Sequence, residues 1–291
     1  MTNSPDVTVS IVNWNTRDDL RECLQTVLSQ DGSVNFEVIA VDNASSDGSV
    51  DMVRTEFAEK VKLIQNDTNR GFGAAHNQAI AESRGRYVLL LNPDCRIIDG
   101  NALRRMVEYM DAHTDIGMLG PKIVYPDGRL QFSARRFPTL AAALFRHTPL
   151  GRLFPHNRFV RKYLMEDWDH REVADVDWLS GAALMVRKKT IEEIGLLDER
   201  FFMYVEDMDW CKRAHMHGWR VVYYPEAEVS HRIGASSDQK VIPMIHEHRK
   251  SMLRYFLKYN ARSAKVLLTP LVALGLWLMA QSRIAAAKKG Q

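Results

Sequence analysis

Residues 87–95, YVLLLNPDC, pass from wholly apolar to strongly polar within one step. Val88 to Leu91 has no polar face and lies between Gly85-Arg86 and Asn92-Pro93, the pattern of a short strand buried on both faces inside a parallel sheet. Asn92, Pro93 and Asp94 sit where that strand emerges. In open α/β sheets ligands bind beyond the carboxyl ends of the strands, so a carboxylate at 94 faces the expected crevice. Asn-Pro-Asp is equally ordinary turn chemistry, and this stretch alone leaves both readings open.

The residues before it repeat the same grammar. Val7 to Asn13 predicts a first strand, and Thr16 starts a helix with Asp19 three residues on, in the manner of a capping box. Leu20, Cys23, Leu24, Val27 and Leu28 give that helix one apolar face. A second strand, Phe36 to Val41, ends in the polar loop Asp42 to Ser49. A third, Val61 to Gln65, leads through Asn69-Arg70-Gly71-Phe72-Gly73 into a helix from Ala74 to about Ser83. Strands alternating with helices predict a parallel sheet with right-handed crossovers. No GxGxxG follows the first strand, which argues against a dinucleotide-dependent oxidoreductase; GFGAAH opens the helix after the third strand instead.

Beyond residue 95 the sequence predicts a helix over Ala102 to Met110 and a strand over Ile116 to Tyr125, closed by a Pro126-Asp127-Gly128 turn. Phe137 to Asp169 is rich in Arg, His and aromatic residues without a clear period and reads as an acceptor-side loop. Asp177 to Val186 is a polar loop passing into a buried strand, and Glu206 opens a helix to about His217. Val221 to Tyr224 is a further strand, with residues 231–236 as the loop after it.

Composition sets the frame. In 291 residues, 46% hydrophobic and 26% charged, there is room for one large α/β domain with an appendage, and a disordered chain is excluded. Cys23, Cys95 and Cys211 are odd in number, far apart and without zinc-like spacing, which predicts free thiols in a reducing compartment. The N-terminal residues lack a basic stretch followed by an apolar run, so no signal peptide is expected and the cytosolic side is indicated. Net charge is +3, yet nine cations from Arg249 to Lys289 follow the last acid, Glu247, leaving the rest of the chain at −6. That distribution predicts an anionic partner at the tail only, and no nucleic acid.

In that tail Pro243 to Tyr259 predicts an amphipathic helix, and Val266 to Ala280 is almost wholly apolar between Lys265 and Arg283. This apolar run is shorter than the roughly 20 residues that span a bilayer, and Pro270 interrupts it. An interfacial or re-entrant helix is expected, with a core helix docked on the domain as the alternative. Basic flanks suit an anionic membrane surface. The chain divides on this reading into a domain at 1–240 and a basic, apolar helical tail at 241–291.

Taken in order, VSIVNWN, VDNASSDGS, LLLNPDC, WLSGA and FFMYVEDMDW resemble family 2 glycosyltransferases of the GT-A fold, over about residues 7 to 235. The flavour is that of the bacterial rhamnosyltransferase-like branch that builds cell-surface polysaccharides, and HRIGASS and HEHRKSMLRYFLKY fit the same branch. Each motif is weak alone; five in the right order are a strong signal. The resemblance implies an α/β fold with a mostly parallel nucleotide-binding sheet flanked by helices and a membrane-associating helical tail. It also implies an inverting enzyme that takes a sugar from a nucleoside diphosphate, with a divalent metal, Mg²⁺ or Mn²⁺, on the diphosphate.

The same resemblance assigns residues. Asn92-Pro93-Asp94 stands in the place of the family's DxD motif, with Asp94 as metal ligand; Asn92 replaces the first Asp and is read as bonding the donor sugar or ribose. His231 is a second metal ligand or diphosphate contact, against an ordinary core or surface histidine, and Gly234 and Ser236 bring backbone close to phosphate. Asp42 accepts from the donor's pyrimidine ring, against a plain Asx turn, while Asp47 is the helix cap. Arg70 contacts base or phosphate, or is a solvated charge. Asn13, Asn15, Asn43, Gly71 and Asn77 complete the donor set. Asp207 is the base with Glu206 beside it, and Asp209 favours a helix N-terminus. Trp178, Ser180, Gly181 and Arg249 are assigned to the acceptor; Trp178 and Trp210 stack on sugar or belong to the core. The expected reaction moves L-rhamnose from dTDP-rhamnose to a polyprenyl-diphosphate-linked saccharide at the cytoplasmic face of the membrane. Alternatives are a UDP-hexose or galactofuranose transferase and a silent membrane-bound scaffold, the latter opposed by Asp94, Glu206 and Asp207.

Overall fold

The computed structural model describes residues 4–147, 150–235 and 237–289. Its first third follows the predicted alternation. Strands β1 (Val7–Asn13), β2 (Phe36–Asp42), β3 (Val61–Gln65) and β4 (Tyr87–Leu91) are joined by helices α1 (Arg17–Leu28), α2 (Ser49–Glu56) and α3 (Phe72–Ala81). They lie parallel in the order β3-β2-β1-β4. The opening strand is buried on both faces as its composition requires. Tyr87, Leu89 and Leu91 pack into one apolar cluster, while Val88 and Leu90 pack into a second on the opposite side of the sheet.

The remainder makes the sheet mixed. After β4 come β5 (Cys95–Ile97), α4 (Ala102–Ala112), β6 (Ile116–Val124) and β7 (Ala134–Arg135). Three short helices follow, α5 (Leu140–His147), α6 (Leu150–Leu153) and α7 (Arg158–Leu164), then β8 (Ala174–Asp175), β9 (Trp178–Leu179), β10 (Ala183–Arg187), α8 (Lys188–Ile194), α9 (Glu206–Met216) and β11 (Arg220–His231). Strand β10 inserts antiparallel between β4 and β6, β11 runs parallel to β6, and β5 and β8 pair antiparallel with β11. A central strand buried on both faces has the same composition in either direction, so the buried strand expected after residue 177 carried no mark of its antiparallel course. Residues 137–169, without a readable period, hold helices of four to eight residues, too short to display one.

Two local expectations change. Thr16 forms no capping box: its hydroxyl donates to Asn13 Oδ1 at 2.7 Å, and Asp19 faces Arg96 and Arg232. The first turn of α1 is capped from another loop, by Asp47 Oδ2, which accepts from Arg17 N at 2.8 Å. Asp47 Oδ1 accepts from Ser49 N at 3.0 Å, so one carboxylate serves the starts of α1 and α2. Strand β11 is also longer than predicted. It continues through a bulge between Tyr224 and Glu228, so His231 is its last residue and not part of a loop.

Helices α10 (Val241–Asn260) and α11 (Thr269–Lys289) form the tail. Helix α10 is fastened to the sheet domain. Ile245, Ser251 and Tyr255 are buried, Ser251 Oγ donates to Met203 O at 2.9 Å, and Lys258 Nζ lies 2.6 Å from Asp209 Oδ1. Asp209 is completely buried and also faces Arg213 at 3.0 Å, so it is more than a first-turn acid: it ties α10 to α9. Tyr259 OH donates to the same carboxylate at 2.8 Å. Tyr259→Phe is therefore expected to lower unfolding free energy by about 1 kcal/mol without changing the fold, as read from urea denaturation.

Helix α11 is longer than the apolar run implied, because Pro270 falls in its first turn, where no intrahelical N–H is lost. Among the described residues, Ala264–Lys288 is long and apolar enough to cross a membrane, with a mean hydropathy of 1.5 and 17% of that window buried. Leu276, Met279 and Ala280 are buried in the molecule, whereas Leu271, Leu274, Trp277 and Leu278 are exposed. The helix is apolar all round and buries only one of its faces.

Candidate active site

A cavity of about 740 Å³ opens at the carboxyl ends of β1, β2 and β4 and is closed from the other side by β9, the turn before α9, and α10. Strand pairing assembles its first chemical feature. In the antiparallel β5–β11 pair His231 stands opposite Cys95, which sets its ring next to Asp94 although 137 residues separate them. His231 Nε2 lies 3.2 Å from Asp94 Oδ1 and 3.3 Å from Asn92 Nδ2. Asp94 Oδ1 is buried and has no hydrogen-bond partner.

Gln131 fixes the histidine's tautomer. Its Nε2 donates to the backbone oxygen of His231 at 3.3 Å, which turns its Oε1 toward His231 Nδ1 at 2.7 Å. Nδ1 then carries the proton, and the Nε2 lone pair, which the Asn92 amide approaches, also faces a carboxylate oxygen that has no hydrogen-bond partner. Two lone pairs 3.2 Å apart suit a cation between them, and a hydrogen-bond acceptor on the far ring nitrogen, here Gln131, is the usual support of a ligating histidine. Asp94, Cys95 and His231 have their potential ligand atoms within 4.8 Å of one another. Cys95 is the misfit: its thiol donates to Ala182 O at 3.3 Å, and burial pushes its pKa well above the usual thiol value. Asp94 and His231 thus fit a hard divalent cation that takes its other ligands from phosphate and water.

The second feature is the acidic turn before α9. Tyr204 and Val205 have φ of 67° and 76°, a left-handed pair that is costly for a β-branched residue. That turn delivers Glu206 and Asp207 to the cavity wall. Asp207 Oδ2 accepts from Gly181 N at 2.9 Å and Oδ1 from Met208 N at 2.7 Å. Burial raises its pKa above the usual carboxylate value, and those two N–H bonds together with the charge of Arg135 hold part of the rise back. Glu206 is more deeply buried, and its Oε2 has no partner. Burial first, then the adjacent Asp207, pushes its pKa well above the usual carboxylate value and favours its neutral form.

The donor-side residues divide. Asn43 and Gly71 line the cavity, as do Asn92 and Asp94. Asn13, Asn15 and Asp42 support its wall: Asn13 Nδ2 donates to Asp42 Oδ2 at 3.0 Å, Asp42 Oδ1 accepts from Ser45 N at 2.8 Å, and Asn15 Oδ1 accepts from Ser46 N at 2.7 Å. Both oxygens of buried Asp42 are thus engaged in holding the 42–46 loop. Arg70 is exposed and outside the lining. Asn77 lies away from the cavity; its amide donates to Leu197 O and Glu199 and accepts from Leu197 N, pinning the 197–199 segment to α3. Gly71 has φ 86°, and a Cβ there would come within 2.4 Å of Phe202 O. Gly71→Ala should lower stability by about 3 kcal/mol, steric and left-handed costs combined, with the loss read from thermal denaturation.

On the acceptor side Trp178, Ser180 and Gly181 line the cavity, but Arg249 does not. Met244, His248 and Met252 share the stripe of α10 that faces the cavity, and Arg249 is one residue, about 100° of helix, off that stripe. Trp210 is core, completely buried with its indole N–H donating to Gly195 O at 2.9 Å. Gly234 lines the cavity; Ser236 lies outside the described residues. Sequence reasoning missed Trp14, Gln131, Arg135 and Tyr204, all of them in the lining. Trp14 had a signal, standing between Asn13 and Asn15; Gln131 had none, since β11 alone gives it a role.

Comparison with known proteins supplies the family. Residues 8–169 match the family model described as Glycosyl transferase family 2. The N-acetylglucosaminyl-diphospho-decaprenol L-rhamnosyltransferase of Mycobacterium tuberculosis is 33% identical over 225 residues, 74% of this chain and 72% of its own. The low-salt glycan biosynthesis hexosyltransferase Agl10 of Haloferax volcanii is 25% identical over 213 residues, 72% of this chain and 61% of its own. The mannosyltransferase PcManGT of Pyrobaculum calidifontis, solved with GDP-Man and Mn²⁺, superposes with a TM-score of 0.59 at 18% identity, covering 100% of this chain and 77% of that one. The fold is GT-A, with a mixed sheet flanked by helices, and the chain belongs to glycosyl transferase family 2, in its rhamnosyltransferase-like branch, and is a glycosyltransferase.

Proposed function

We propose that this glycosyltransferase moves L-rhamnose from dTDP-rhamnose, with inversion, to a saccharide carried on a polyprenyl diphosphate, in cell-wall or surface polysaccharide synthesis. The observation that carries this reading is one cavity lined by both the Asp94–His231 pair and Asp207. The sugar and the lipid-linked acceptor are supported by the activity in the name of the mycobacterial relative.

Each part of the reaction has a residue to serve it. A divalent cation, Mg²⁺ or Mn²⁺, held by Asp94 and His231 would neutralise the leaving diphosphate. Asp207 keeps a free lone pair on each oxygen after its two backbone bonds, and its raised pKa makes it a better proton acceptor than an exposed carboxylate. The acceptor hydroxyl gives its proton to Asp207 as its oxygen bonds to the anomeric carbon; the bond to the diphosphate oxygen on the opposite face breaks, and the nucleoside diphosphate leaves. Burial favours the neutral form of Glu206 beside it, which limits the charge that would compete with that proton transfer. The Asp42 wall and Asn43 serve the nucleotide, and Trp178, Ser180 and Gly181 the acceptor sugar.

The exposed apolar face of α11 beside a basic tail supports peripheral attachment at the cytoplasmic face of the membrane, where a lipid-linked acceptor is presented. Because α10 is bound to the sheet by Ser251, Tyr255 and Lys258, the catalytic domain on this reading runs through Asn260 and the attachment element is α11. A panel of dTDP-, UDP- and GDP-sugars offered with Mn²⁺ and a polyprenyl-diphosphate N-acetylglucosamine acceptor tests the whole reading. Rhamnosylated product by mass is expected; transfer from UDP- or GDP-sugars with none from dTDP-rhamnose overturns the donor.

A further inference from the structure

Three arginines converge on the mouth of the cavity from separate elements: Arg135 at the end of β7, Arg146 on α5 and Arg283 on α11. Arg283 falls seven residues after Leu276 and four after Met279, on the stripe by which α11 is buried against the molecule, and this brings it to the cavity. Arg135 stacks on Trp178, its Cζ 4.9 Å from the ring centre, and Arg146 stacks on Tyr163 at 5.3 Å. Stacking holds a guanidinium by its face and leaves its N–H edge for an anion.

None of the three has an acidic partner within ion-pair distance among the described residues, although most arginines of the sheet domain do. Arg135 donates only to Phe132 O, at 2.9 Å. Their charges act on one another: desolvation chiefly holds the Arg146 pKa below the usual arginine value, Tyr163 opposes it, Arg135 and Arg283 lower it further, and Glu166 opposes more weakly. His248, on α10 in the same lining, is lowered to about 4 by burial and then by Arg283 and Arg146. Like charges gathered at a cavity mouth without counter-charges are an anion site awaiting its ligand.

The position says which anion. Arg135 stacks on Trp178 and lines the same cavity as Asp207, so the cluster flanks the proposed base on the acceptor's side, whereas the donor diphosphate belongs at Asp94 and His231. Arg283 sits on the same helix that exposes Leu271, Leu274 and Leu278. We propose that Arg135, Arg146 and Arg283 form a subsite for the diphosphate of a prenyl-linked acceptor, with the prenyl chain leaving along α11. This rests on the proposed acceptor and replaces Arg249 as its anion partner.

The test uses the full-length protein in detergent micelles, with binding of farnesyl diphosphate, farnesol and inorganic pyrophosphate read by tryptophan fluorescence. Farnesyl diphosphate should bind, pyrophosphate should compete with it, and farnesol should bind more weakly. Arg146→Gln and Arg283→Gln should each weaken farnesyl diphosphate binding by roughly tenfold or more and leave farnesol binding unchanged, with Arg283→Lys recovering part of the loss. In turnover, acceptor KM should rise while donor KM stays fixed. The proposal is overturned if both variants bind farnesyl diphosphate like the wild type, if donor KM alone rises, or if the variants lose only adhesion to phosphatidylglycerol vesicles. Farnesyl diphosphate binding needs no donor, so failure of rhamnose transfer with the binding pattern intact would sink the donor assignment and leave the subsite standing.

Discussion

Asp207→Asn is expected to lower kcat by about 10³-fold with little change in donor KM, the scale on which loss of a positioned general base is felt. The substitution keeps the shape of the side chain and can still accept from Gly181 N or Met208 N through its remaining oxygen, so the strained turn at Tyr204 and Val205 survives. What disappears is a carboxylate able to take a proton. Glu206→Gln should be mild by comparison, since a neutral, deeply buried carboxyl is nearly isosteric with the amide that replaces it.

The pH profile separates the two acids. With Asp207 as the proposed base, transfer should need it ionised, so the rate should rise with pH through the Asp207 pKa, and because burial raises that pKa the acid limb should lie above the usual carboxylate range. Because burial favours the neutral form of Glu206, Glu206→Gln should leave the midpoint of that limb in place. A limb that drops toward acid pH in Glu206→Gln would mean that Glu206 carries charge and shares the base's role. An Asp207→Asn enzyme retaining wild-type kcat would end the assignment of the base altogether.

How much of this was legible in the sequence depends on how local each signal is. Val88 to Leu91 announces a doubly buried strand by composition alone, and the two clusters that receive its alternate side chains are what that composition requires. The parallel half of the sheet followed from the alternation of strands and helices. The antiparallel insertion of β10 did not, because a central strand carries no mark of direction. Helix α10 read as amphipathic, but its attachment depends on Asp209, whose carboxylate joins Lys258 and Tyr259 across about 50 residues of chain. Motif order singled out Asp94, Glu206 and Asp207, and all three line the cavity. Asn77 and Arg249 lie outside that lining, since a polar side chain near a motif can point into a loop or along another face of a helix as easily as into a cavity. Gln131 and the three arginines are visible only in three dimensions: each gets its meaning from a partner more than 30 residues away or from the absence of one.

Asp94→Asn should abolish tight Mn²⁺ binding and lower transfer by on the order of 10²-fold or more, because the cation loses its one carboxylate. The amide would place an N–H₂ or a neutral oxygen opposite His231 Nε2, and the orphaned lone pair of Asp94 Oδ1 that faces the histidine would be gone. Asn92 cannot substitute, since it offers no charge, and Cys95 is held in the core with its thiol donated to Ala182 O. Gln131→Leu supplies the complementary measurement. It leaves both ligands in place but frees His231 Nδ1 from its acceptor, so the ring can reorient or change tautomer. Mn²⁺ affinity, followed by electron paramagnetic resonance of the free ion, should then fall by about 10- to 100-fold, the usual scale for losing such a support. If Asp94→Asn and Gln131→Leu both bind Mn²⁺ as the wild type does, the cation is not held at this pair. Asn92, the position where this chain departs from the family's paired acids, would then have its carboxylate-free character explained by chemistry that leaves the diphosphate to protein cations alone.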